Sequence, residues 1–177
     1  MKHLKTVCRS ISLPLSLWLL SILFFLPISM YGKKYQFKMA EHYDIVQIRV
    51  AEQGYKYVKV WGIGKNADRA IEQAKMNAVA ACLFEGVAAN EIAGRIPPLC
   101  PEGASAYDAH REYFDNFFSS GLFLEYVKSV NSRYPTGADN VSTSKGRRVG
   151  IYLEICYDDL RKKLEKDGII KSLDSYF

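Results

Sequence analysis

The residues from Tyr55 to Glu85, YKYVKVWGIGKNADRAIEQAKMNAVAACLFE, admit few folds. Val58 and Val60 alternate with polar and aromatic neighbours in a strand pattern, and Gly62 and Gly64 then break it. Ala67, Ala70, Ile71, Ala74, Ala78, Ala81 and Cys82 follow at three- and four-residue spacing, which is the stripe of an amphipathic helix. Because the stripe is mostly alanine, the helix can lie close against a sheet. Gly62-Ile63-Gly64-Lys65-Asn66-Ala67 also matches G-x-G-x-x-[G/A], the turn on which a dinucleotide pyrophosphate can rest. Here the strand follows a hairpin and no parallel strand comes promptly after the helix, so the βαβ context is missing. The turn is therefore read as structural, with Gly62 and Gly64 supplying unusual φ angles and Asn66 capping the helix.

Upstream, the segment YDIVQIRVA alternates as a strand, and Glu52-Gln53-Gly54 reads as the hairpin loop joining it to the next strand. Downstream, the stretch from Ala88 to Gly103 carries Gly94, Pro97, Pro98, Pro101 and Gly103, an ordered loop long enough to serve recognition. A helix from Ser105 to Ser119 follows, stopped by Gly121. Its rings Tyr107, Phe114, Phe117 and Phe118 fit either core packing or a binding surface for a sugar or peptide. Leu122 to Val130 and Arg147 to Tyr157 read as strands, with SRYPTGADNVSTSKG an exposed hairpin loop between them. Asp158 and Asp159 open a last helix as cap and dipole partners, and Gly168 closes it. The order ββα-loop-αββα predicts one two-layer α+β domain, a four-stranded and mainly antiparallel sheet with helices on one face.

Residues 1–32 stand outside that domain, which spans 33–177. Lys2, Lys5 and Arg9 precede an apolar run from Ile11 to Ile28, the composition of an export signal. Eighteen residues also reach the lower edge of a membrane span, so cleavage near Gly32 and a retained anchor both remain open. Export changes the meaning of the charge: the chain is +5 overall, but only +2 from Lys33 onward, with 21 basic and 19 acidic residues. No concentrated basic face for nucleic acid follows from that mixture. In an oxidising compartment Cys82 and Cys100 are the candidate disulfide, clipping the proline-rich loop to the helix, with Cys156 left over; three reduced thiols, two of them buried, are the alternative. No catalytic or metal-ligating constellation is legible, because His3, His42 and His110 are isolated and no GxSxG, HExxH or CxxC occurs.

The strand, the G-x-G and the A-x-x-x-A helix, carried by Val58, Val60, Gly62, Gly64, Ala67, Ala70, Ala74, Ala78 and Ala81, resemble an exported bacterial envelope domain. That domain is shared by the N-terminal region of flagellar assembly protein T and a class of small outer-membrane lipoproteins. The ending YDDLRKKLEKDGII is similar as well. Two features depart from the family: no cysteine follows the apolar run to be lipidated, and the segment from Ala88 to Ser120 is longer. The resemblance implies a non-enzymatic accessory of a surface, motility or secretion assembly, periplasmic or outer-membrane associated. Its partners would be envelope proteins, with membrane contact only through the N-terminal segment, and it implies no cofactor and no catalytic residue. A periplasmic small-ligand binding protein using the 88–120 loop and its aromatic rings is the rival expectation.

Overall fold

A computed structural model describes residues 35–50, 52–131 and 133–172. The segment expected to direct export and the last five residues lie outside them, and among the described residues no helix is long and apolar enough to cross a membrane. The chain forms an α+β domain around an antiparallel sheet. Its strands are β1 (Ile45–Arg49), β2 (Tyr55–Gly64), β3 (Val127–Ser129), β4 (Asn140–Thr143) and β5 (Gly146–Cys156). The order across the sheet is β1-β2-β5-β3, and β4 also pairs with β5. β2 and β5 form the spine, in register from Tyr55 opposite Cys156 to Gly64 opposite Arg147.

Alternation along that spine divides the residues between two faces. Val58, Val60, Val149, Leu153 and Ile155 point to one face and are fully buried beneath α1 (Ala67–Ala80). Asn66 caps α1, its side chain accepting the Arg69 N–H at 2.9 Å. The two glycines of the turn serve packing rather than dihedral freedom, because neither has positive φ. A Cβ on Gly62 would meet Ala70 O at 2.2 Å and Ala74 N at 2.4 Å, and one on Gly64 would meet Ala70 N at 2.4 Å. Expectation and structure agree on which residues matter here and differ on why. The helix backbone occupies the space directly above the two glycines.

The helix continues through a π-helical turn, Ala81–Glu85, to Gly86 at φ 80°. From there the long loop runs back along β1. Buried Gln47 donates to Ala88 O and Gly94 O at 3.1 and 2.6 Å, and Asn90 donates to Gln47 O at 2.8 Å, so the loop shields the edge strand. Cys82 and Cys100 do approach each other's segments, but the clip is made of main-chain bonds. Leu99 N donates to Cys82 O at 2.9 Å and Cys100 N to Leu83 O at 2.8 Å, while Cys82, Cys100 and Cys156 are all free and buried.

The helix expected from Ser105 is two helices, α2 (Ala104–Ala109) and α3 (Arg111–Ser119), broken at His110. Gly121, at φ 86°, ends the second. The stretch expected as a strand from Leu122 begins instead with a 3-10 turn, Leu122–Tyr126, before β3. Phe123 and Tyr126, three residues apart, thereby share the buried side. The polar loop expected before the last strand contains β4, so the sheet has five strands rather than four. The last helix, α4 (Tyr157–Lys166), buries Leu160 and Leu164 and is tied to α3 where the Tyr113 hydroxyl donates to Asp167 at 2.7 Å.

Candidate functional site

The rings Tyr107, Phe114, Phe117 and Phe118 are buried, and of the four only Tyr107 borders a groove. Their exposures are 8, 0, 2 and 0%, and they pack with Phe84 and Phe123 into one aromatic cluster. Their spacing along α3 puts three of them on its inward face, where burial contributes most. Phe37 stacks on Phe118 with centroids 3.8 Å apart, and Tyr35 meets Phe123 at 5.3 Å, so an extended segment from Tyr35 to Tyr43 is strapped across the cluster. The groove beside this strap, about 720 Å³, is rich in charge. Most of that charge is committed: Glu85 accepts from His42 at 2.5 Å and from Tyr43 N at 3.0 Å, Asp115 accepts from Tyr107 at 2.5 Å, and Arg111 pairs with Asp108. These contacts fasten the strap. Burial, followed by the Asp115 bond, pushes the Tyr107 phenol up to about 12.

The other surface of the sheet, reached by the 3-10 turn Gly137–Asp139 through Asp139, is organised differently. The register sets out its side chains in cross-strand rows. One row holds Ile63, Arg148 and Val141; the next holds Trp61 over Gly150; a third holds Val46, Lys59 and Tyr152; a fourth holds Arg49, Tyr57, Glu154 and Lys128. Cations lie over rings throughout. The Arg49 guanidinium is 3.6 Å from the Tyr57 centroid, Lys59 is 5.0 Å from both Trp61 and Tyr152, and Arg148 is 5.1 Å from Trp61. Gly150 lets the indole lie close, since a Cβ there would sit 2.7 Å from Trp61 Nε1.

Acidic groups brace part of this lattice. Lys59 pairs with Asp139 at 2.6 Å, and that bond holds the ammonium pKa above its ordinary value. Arg148 pairs with Asp44. The Glu154 carboxylate, hydrogen-bonded to Tyr57, raises the phenol, with burial adding to it. Arg49 and Lys128, both exposed, make no ion pair among the described residues. Around the aromatic centre stand Val46, Ile63, Val130 and Val141, each more than 40% exposed. Together they make a mixed surface, exposed aliphatic flanks around rings that are partly covered by cations.

The sequence does not assemble this surface, because its members are scattered over β1, β2, β3, β4 and β5. Among the described residues no group of three His, Cys, Asp or Glu side chains is placed to hold a metal. No protein-family model, curated protein or solved structure matches this chain.

Proposed function

We propose that this chain is a non-catalytic binding module of the bacterial cell envelope, exported by its N-terminal segment, which docks a partner protein on the face of its sheet opposite α1. One observation carries the reading. Four aliphatic side chains, Val46, Ile63, Val130 and Val141, stay exposed around Trp61, Tyr57 and Tyr152 on a face built of ordered strands. Exposed apolar area of this kind costs solubility unless something covers it. The partner's chemistry follows from the unspent charge: an apolar centre with carboxylates placed to meet Arg49 and Lys128. Envelope location rests on the basic-then-apolar start of the sequence, and a role as accessory to a surface, motility or secretion assembly rests on the family resemblance.

Photo-crosslinking in a bacterial cell tests this directly. A photoreactive residue at Val46 or Ile63 of the full chain is expected to trap one protein of defined mass, whereas the same probe at exposed Glu112 on α3 traps none. Equal or absent crosslinking at the three positions would rule the sheet face out as the docking surface.

A further inference from the structure

Between β3 and β4 the chain leaves the sheet and returns to it. Val130 N donates to Tyr152 O at 3.0 Å, and Asn140 lies opposite Val149, so both strands border the same edge of β5. Residues 133–139 arch outward between them. The arch is pinned at three points: the Tyr134 hydroxyl donates to Asp68 of α1 at 3.3 Å, Asn140 donates to Pro135 O at 3.0 Å, and Asp139 pairs with Lys59 at 2.6 Å. Beneath it is a pocket of about 360 Å³, a size that accepts a small ligand or a single large side chain.

Ile71 of α1 and Ile151 of β5 line the pocket together with Tyr134, Pro135 and Tyr152. The charges around it do not cancel. Asp139 is engaged by Lys59, whereas Arg133 is exposed and makes no ion pair among the described residues. A guanidinium presents two parallel N–H donors that match a carboxylate, and the apolar walls below it suit the body to which such a carboxylate is attached. We infer that the pocket under the arch binds a carboxylate carried on an apolar or aromatic body, with Arg133 pairing the acid and the Tyr134, Pro135 and Tyr152 walls holding the body. A free organic acid and the C-terminal residue of another polypeptide present this same chemistry. The pocket shares Tyr152 and the Lys59–Asp139 pair with the docking face, but neither Val46 nor Ile63 lines it, so variants at those two positions leave it intact.

Isothermal titration of the full chain tests the inference with 3-phenylpropionate and with a Gly-Gly-Gly-Phe peptide, each compared with its amide. The acid forms are expected to bind and the amides to bind at least about tenfold more weakly, the loss of one charge-assisted hydrogen bond. Arg133→Gln brings acid and amide level, and Thr136→Trp, which fills the pocket from its rim, abolishes binding of both. Binding of the peptide alone identifies a polypeptide end as the source, and binding of phenylpropionate alone a free acid. The inference is overturned if no probe binds, if amides equal acids, or if Thr136→Trp folds normally and binds as before.

Discussion

The two faces of the same pair of strands are built by opposite rules. Toward α1, β2 presents Val58, Val60, Gly62 and Gly64 and β5 presents Val149, Ile151, Leu153 and Ile155, so side chains shrink along β2 until the helix backbone rests on the strand. On the other face the same strands present Tyr57, Lys59, Trp61, Arg148, Tyr152 and Glu154, large groups that cover one another. The covered face gains its stability from excluded water and close backbone contact. The open face gains from ring–cation and ion-pair contacts, each worth about 1 kcal/mol or less. A protein that needed this sheet only as a scaffold would gain nothing by placing Trp61 and four exposed aliphatic residues around it on that surface.

Equivalent substitutions on the two faces should therefore have unequal effects, and glycine gives the widest separation. In Gly62→Ala the new methyl collides with main-chain atoms of Ala70 and Ala74, which cannot swing away. Unfolding by denaturant is expected to show a loss of more than about 3 kcal/mol. Gly150→Ala meets the Trp61 indole edge, a side chain that can turn, and should cost about 1 kcal/mol. If the two variants prove equally stable, the close-packing account of the turn fails. Truncation comes next: Leu153→Ala should lose about 3 kcal/mol through transfer and cavity terms, against about 0.5 kcal/mol or less for Val46→Ala on the open side.

Cysteine chemistry reads the same difference without energies. Burial pushes the Cys82 thiol up to about 12 and the Cys100 thiol up to about 11, which suppresses both thiolates near neutral pH. Cys156 is raised too, also chiefly by burial, but it shares the open side with Tyr55 in the register. Iodoacetamide labelling followed by mass spectrometry is expected to modify Cys156 first, with Cys82 and Cys100 reacting only as fast as the domain opens. Early labelling of Cys82 would mean that α1 leaves the sheet far more readily than its packing implies.

What could be read from the sequence follows from how local each signal is. The β2–α1 unit was legible because its alanine period and its Asn66 cap lie within a single stretch. The glycines were legible as positions but not in their role, since close approach depends on where the helix axis lies and φ does not reveal it. β4 was missed because Asn140-Val141-Ser142-Thr143 has one apolar residue, itself exposed, and so no alternation to detect. The 3-10 turn was misread as strand because Phe123 and Tyr126 straddle an apolar run in which periods of two and three look alike over five residues. The open face was invisible for a different reason. Its rows join residues as distant as Val46 and Tyr152, and only the register brings them together.

The smallest effect in the comparison is the most specific to the open face. Lys59 has a raised pKa in the folded protein, chiefly through its bond to Asp139, so the stability this pair supplies is complete below the pKa of a free lysine and fades as pH rises through the raised value. Buried phenols complicate the absolute curve. Tyr43 and Tyr157 are raised mainly by burial, and a raised acid favours unfolding once the unfolded chain ionises, so all variants weaken above about pH 10. The difference between wild type and Lys59→Met removes that shared background. It should amount to about 1 kcal/mol or less at neutral pH, and it should shrink toward zero between about pH 10 and 12 as the ammonium is lost. Denaturant unfolding at a series of pH values measures it. A gap that persists unchanged in strong alkali would show that Lys59 supports the face by packing its stem over Trp61 and Tyr152, with its charge on Asp139 adding nothing.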